Sequence, residues 1–168
     1  MLSNASREHN YLTMLTSYPL NLPGRLYGSA MPFGLYDPDG TLLPKFRAAS
    51  IHVVVLLAEP DECREKTGRD LLGMYQEEGL TVLSLPIPNY GIPVDGGLSE
   101  VVKRAHEHVA QGQNLLIHCS AGLGRTALFA TLLARSVLGL SGPEALAWLG
   151  RHQPGALLTP AQIMLIME

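Results

Sequence analysis

The sequence predicts an α/β protein built on a central, mostly parallel sheet of four to five strands with helices on both faces. Three observations carry that expectation. Short β-branched runs alternate along the chain with stretches of helical periodicity, the order that generates a layered sheet. One run, residues 52–57 (HVVVLL), is apolar almost throughout, as a strand buried on both faces must be. A glycine-rich turn at residues 118–126 joins the last strand pattern to a helical one, and in parallel sheets such turns gather around a ligand at the C-terminal strand ends.

Taken in order, residues 25–29 read as a short strand after Pro23 and Gly24, residues 52–57 as the second strand, residues 80–85 as the third, stopped by Pro86, and residues 114–118 as the fourth. Leu98, Val101, Val102, Ala105 and Val109 fall at helical spacing, with Ser99 or Asp95 as N-cap. Residues 126–138 form a further helix ended by Gly139. Ser141 with Glu144, and Thr159 with Gln162, read as capping boxes that open the last two helices. Glycine and proline concentrate in residues 19–44 and 86–97, which read as surface loops near the site, and residues 61–66 (DECREK) read as a charged surface loop.

The chain, 168 residues, is expected to form a single domain over residues 1–168, long enough to bury about two-thirds of its unfolded surface without disulfides or structural metal. A formal charge of −3 argues against a nucleic-acid or anionic-membrane partner. Cys63 and Cys119 are the only cysteines, so no disulfide framework is implied and a cytoplasmic setting is expected. The N-terminus has no basic segment leading into an apolar core, so no signal peptide is expected, and the most apolar run, residues 127–140, is too short to span a bilayer and is broken by Arg135. His106 and His108, two apart on a helix, face different directions, and no metal or cofactor is expected.

The chemistry concentrates in residues 118–126, His118-Cys119-Ser120-Ala121-Gly122-Leu123-Gly124-Arg125-Thr126. A tight turn feeding a helix N-terminus points successive backbone N–H groups into one concavity that suits an anion. Cys119 sits at its floor, where the helix dipole and the Arg125 cation both favour a thiolate, the nucleophilic form. Arg125 adds a planar fork that holds two oxygens of a phosphate at once, which lysine cannot do.

This string resembles the signature of the cysteine-dependent protein tyrosine phosphatases, His-Cys followed by five residues and Arg-Ser/Thr, and matches it at every defining position. The late position of the loop in the chain is similar to the compact dual-specificity branch, and particularly its kinase-associated-phosphatase-like members. The resemblance implies their fold and a phosphocysteine intermediate on Cys119. It further implies phosphate binding by residues 120–125 (Ser120, Ala121, Gly122, Leu123, Gly124 and Arg125), a hydroxyl at Thr126 that donates to the sulfur, and a His118 that tunes the loop rather than acting as a base.

One departure stands out. The family places an aspartic acid as general acid in the loop where this chain has Pro86-Ile87-Pro88-Asn89-Tyr90-Gly91-Ile92-Pro93. Asn89 cannot give up a proton, so a contribution usually worth about 10²–10⁴ in rate is missing. A phenolate needs less help than an alkoxide, which tilts the expectation toward aryl phosphates. Asp95 or Glu59, with Asp61 and Glu62 beside it, could substitute, although a helix cap explains Asp95 and a solvated face explains the others. Alternatively the enzyme works without the acid, the protein captures phosphate with little turnover, or Asn89 replaces a natural aspartate to trap substrate. Gln162 resembles a family glutamine near the attacking water, and its capping box explains it equally well.

The expected function is hydrolysis of phosphotyrosine, with phosphoserine and phosphothreonine as further substrates. The alternatives are a phospho-residue binding module and, less favoured by the charge, an RNA 5′-phosphatase. Phosphoproteins or small aryl phosphates are the expected partners, and phosphate, sulfate or vanadate the expected site ligands. Cys63 could resolve an oxidised Cys119 only if the two Cα atoms lie within about 7 Å.

Overall fold

The computed structural model of the chain describes residues 13–94 and 96–168. Asp95 and residues 1–12, where the leader question falls, lie outside the described residues. Five strands, β1 (Thr16–Tyr18), β2 (Leu26–Ser29), β3 (Ile51–Leu56), β4 (Thr81–Ser84) and β5 (Asn114–His118), form one sheet in the order β1-β2-β5-β3-β4. Only the β1–β2 pair is antiparallel. Seven helices accompany them among the described residues: α1 (Leu42–Ala48), α2 (Pro60–Thr67), α3 (Leu71–Glu77), α4 (Leu98–Ala110), α5 (Arg125–Leu138), α6 (Gly142–His152) and α7 (Pro160–Met167).

The period of two along the central strands explains the layering. Val53, Val55, Leu57, Leu115 and Ile117 pack on one face with α4, α5 and α6, whereas Val54, Leu56 and Leu116 pack on the other with α1, α2 and α3. Each fully buried valine or leucine there contributes about 1.5–3 kcal/mol. The expected α/β class and its helix-covered parallel sheet are therefore present, with the strand bounds displaced by a residue at β2, β3 and β4. His52 is the exception in the second run, exposed within an otherwise buried strand, with its Nδ1 accepting from Asn114 N–H.

Four features correct the sequence expectation. The stretch read as a charged surface loop is helix α2, with Pro60 at its start, Asp61 and Glu62 in the first turn, basic residues in the last and Gly68 closing it in the left-handed conformation. The supposed loops of residues 19–44 include the start of α1, whose first turn is capped from Asp37, a buried carboxylate that accepts from Thr41 and Leu42 N–H. Helix α4 is preceded by Gly97, not Ser99, and makes no side-chain cap bond. Strand β1 supplies the fifth strand of the expected four to five, and neither it nor helix α3 is assigned residues in the sequence reading. Both capping boxes are present, at Ser141 and Thr159. No helix among the described residues is long and apolar enough to cross a membrane.

Candidate active site

Strand β5 ends at His118, and the chain turns through residues 119–124 into α5. Gly122 makes the turn possible: its φ is 79°, and a Cβ there would stand 2.6 Å from the Ser29 carbonyl oxygen on β2. The outward faces of the loop are tied down. The Cys119 carbonyl accepts from His118 Nδ1 (3.1 Å), the Ser120 carbonyl from Met31 N–H (2.8 Å), the Gly122 carbonyl from Gln153 Nε2 (2.8 Å) and the Leu123 carbonyl from Leu157 N–H (2.7 Å). Across a planar trans peptide the carbonyl and the following N–H point opposite ways. Tying those four carbonyls outward turns the N–H groups of Ser120, Ala121, Leu123 and Gly124 inward, and all four residues line one cavity of about 340 Å³ together with Cys119 and Arg125. The result is a concavity of inward-facing donors that suits an anion.

Arg125 opens α5 and is buried. Its Nη1 donates to Glu62 Oε2 (2.7 Å) and to the Ile87 carbonyl (2.9 Å), and its Nη2 donates to Glu62 Oε1 (2.7 Å). Both Nη1 hydrogens and one of Nη2 are thereby used. The edge formed by Nε–H and the other Nη2–H is left to face Cys119 and an anion bidentately. Burial works against the guanidinium charge, but the bond to Glu62 and the nearby Cys119 sulfur outweigh it and hold the arginine's affinity for its proton above the ordinary value. Burial likewise opposes ionisation of Glu62, yet Arg125 and Lys66 pull its carboxyl down to about 2. Glu62 is therefore a fixed anion at neutral pH with no proton to give.

Thr126 Oγ1 donates to Cys119 Sγ at 3.2 Å. His118 is fully buried, with Nε2 beside the Tyr75 hydroxyl (2.8 Å) and Nδ1 beside a carbonyl. A carbonyl only accepts, so Nδ1 carries the proton and Nε2 accepts from Tyr75. Burial, with Arg125 nearby, lowers the His118 pKa to about 4 against an ordinary 6.5. The unfolded chain then binds the extra proton between those values, so stability is complete above pH 6.5 and is lost as pH falls toward 4, by about 3 kcal/mol. Nitrogen-detected NMR of the histidine ring should show an Nδ1-protonated tautomer that titrates near pH 4, and a His118 midpoint at 6 or above would contradict this geometry.

The remaining expected residues separate clearly. Asn89 is exposed and lines the cavity. Gln162 also lines it, buried, with its Oε1 accepting from Thr159 N–H in the capping box and its Nε2 donating to the Gly91 carbonyl (2.9 Å), so it straps the loop that carries Asn89 to α7. Glu59 is exposed at the start of α2 and does not line the cavity. Among the described residues no carboxyl group lines it. Cys63 is buried in the cluster on the opposite face of the sheet, and burial together with the Glu62 charge pushes its thiol up to about 11. No cluster of His, Cys, Asp or Glu suited to a metal occurs among the described residues.

Sequence reading missed four side chains that build the site, besides the backbone N–H groups of Met31 and Leu157. Lys66 lines the cavity and bonds Glu62 Oε1 (2.8 Å) and Ser120 Oγ (2.9 Å), adding a cation beside the loop that the loop's own sequence lacks. The spacing of Glu62 and Lys66 along a helix, four residues apart, signals that pair once α2 is recognised. Tyr75, Gln153 and Tyr18, whose hydroxyl donates to Gln153 Oε1, left no local signal.

Comparison with known proteins converges on one group. Residues 40–138 match the profile of a family described as "Polymorphic toxin system, DSP-PTPase phosphatase". Cyclin-dependent kinase inhibitor 3 of Mus musculus is 38% identical over 64 residues, which cover 38% of this chain and 30% of that protein. The aligned stretches span less than half the length of the mouse and rat proteins. A kinase associated phosphatase, solved with its catalytic-site cysteine substituted by serine, superposes with a TM-score of 0.81 at 21% identity, covering 91% of each chain. Tk-PTP in its active form superposes with a TM-score of 0.72 at 30% identity, covering 91% of this chain and 96% of that one.

Proposed function

The chain belongs to the DSP-PTPase phosphatase family, and from that premise we propose that it hydrolyses phosphomonoesters of proteins, phosphotyrosine first, through a phosphocysteine on Cys119. The observation that carries the reading is the juxtaposition of the Cys119 sulfur with inward-turned loop amides and the edge of Arg125 that Glu62 and Ile87 leave unused.

The Cys119 thiolate attacks phosphorus in line, and the bond from phosphorus to the ester oxygen breaks. The loop amides and Arg125 hold the three equatorial oxygens as their charge grows. Thr126 stabilises the sulfur as thiolate before attack and as leaving group afterwards. Water then attacks the phosphocysteine, the sulfur–phosphorus bond breaks, and inorganic phosphate leaves. Glu62 acts by fixing the plane of Arg125 and His118 by fixing the Cys119 carbonyl, neither exchanging protons at neutral pH. We assign Gln162 the strap on the Asn89 loop; each end of its amide is engaged once there, and the second Nε2 hydrogen and second Oε1 lone pair stay available to water in the cavity it lines.

With Asn89 at the acid position, the departing oxygen takes its proton from solvent, which suits a phenolate. p-Nitrophenyl phosphate and phosphotyrosine peptides should therefore be hydrolysed at least ~10²-fold faster than phosphoserine peptides at pH 7. Equal rates would remove the argument from Asn89. The same residue favours a second reading, a module that captures phosphorylated residues without turnover. Binding of phosphate with no release from any ester would select it.

A further inference from the structure

We propose that Leu35, Tyr90 and Leu157 form an apolar collar around the phosphate cavity that recognises aliphatic or aromatic residues flanking the phosphorylated side chain of a peptide. The proposal rests on the reading of the cavity as a phosphoryl site and adds what the site selects.

All three side chains line the mouth of that cavity and are 68%, 76% and 69% exposed in the order named. Singly exposed apolar residues are ordinary on a protein surface, whereas a contiguous group marks contact with a partner. These three come from separate segments of the chain, and each segment is bonded to the phosphate loop or its arginine. Leu157 donates its own N–H to the Leu123 carbonyl. The segment carrying Leu35 is joined to the loop by Met31 N–H on the Ser120 carbonyl. The segment carrying Tyr90 is held on one side by Arg125 on the Ile87 carbonyl and on the other by Gln162 on the Gly91 carbonyl. The cradle and the collar are thus positioned by the same hydrogen bonds, and a peptide whose phosphate enters the cradle must pass over the collar.

Tyr90 supports this further. Its φ is 62°, a left-handed conformation that tyrosine adopts only under strain. The strained turn is held by the Gly91 N–H to Pro88 carbonyl bond and the Gln162 strap, and it leaves the tyrosine largely in solvent. Charge points the same way. Among the described residues the charged ones lining the cavity are Lys66 and Arg125, both bonded to Glu62, and the three collar side chains offer no cation to an acidic flank. The net charge of −3 disfavours acidic peptides as well.

Two phosphotyrosine peptides, identical except for leucines or glutamates on either side of the phosphotyrosine, provide the test. Their affinities for the Cys119→Ser protein are measured by calorimetry, which needs no turnover. The leucine peptide should bind about tenfold more tightly or better. Leu35→Ser with Leu157→Ser should bring the two affinities to within about threefold. Tyr90→Gly, which removes the ring and relieves the strained backbone, should act in the same direction, and Tyr90→Phe should retain the preference. Equal affinities, or a preference for glutamate, would overturn the collar. Hydrolysis of p-nitrophenyl phosphate by the native protein alongside equal affinities defeats the collar alone. A leucine preference without hydrolysis supports the collar and defeats the hydrolytic reading, failure of both peptides to bind defeats the collar, and that failure with no hydrolysis by the native protein defeats both.

Discussion

Cys119→Ser is expected to lose phosphate release by roughly 10⁴-fold or more while binding inorganic phosphate about as well as the native chain. The two parts of the result have separate physical origins. A serine hydroxyl at neutral pH is not ionised and lacks the polarisable sulfur, so the attacking group is lost. In the proposed mechanism the phosphate is instead held by loop amides whose direction is set by His118, Met31, Gln153 and Leu157, and by an arginine whose plane is set by Glu62. None of these bonds involves the sulfur. Hydrolysis of p-nitrophenyl phosphate and calorimetry with phosphate, on the two proteins in parallel, measure both parts.

Asn89→Asp has the second largest expected effect, and it is a gain. Asn89 lines the cavity on a loop pinned at Ile87 and Gly91, so on the proposed mechanism a carboxyl there would serve the departing oxygen. Hydrolysis of alkyl phosphates such as phosphoserine peptides should rise by about 10²–10⁴, with a much smaller rise for p-nitrophenyl phosphate, whose phenolate needs little protonation. The alkyl activity should also acquire a basic limb in its pH profile as the new acid ionises. An unchanged ratio of aryl to alkyl rates would show that residue 89 does not reach the leaving oxygen.

The unequal legibility of the sequence follows from how far each signal has to reach. Residues 118–126 are contiguous, so the candidate chemistry is legible in one place, and the structure adds why their amides turn inward and how Glu62, Lys66 and Gln153 hold these residues. The central strands were legible because Val53, Val54 and Val55 admit little else, and the capping boxes at Ser141 and Thr159 because a cap is a bond between residues three apart. Strand β1, three residues ahead of a proline, is too short to display a period of two. Helix α2 carried Pro60 at its start, acids in its first turn, bases in its last and Gly68 after it, but its run of charges masked these signals, and with it the roles of Glu62 and Lys66 were lost. Arg125 to Glu62 and Gln153 to Gly122 bridge 63 and 31 residues of sequence, and such pairs meet only after the sheet has formed.

The central claim is that phosphoryl groups pass through Cys119. Rapid quenching of the native protein with p-nitrophenyl phosphate, followed by mass spectrometry of the peptide containing Cys119, tests it most directly. The expected result is a phosphate adduct on Cys119 within the first turnover, accompanied by nitrophenolate and absent from Cys119→Ser. Undiminished nitrophenolate release by Cys119→Ser, with no adduct on the native cysteine, would contradict the account.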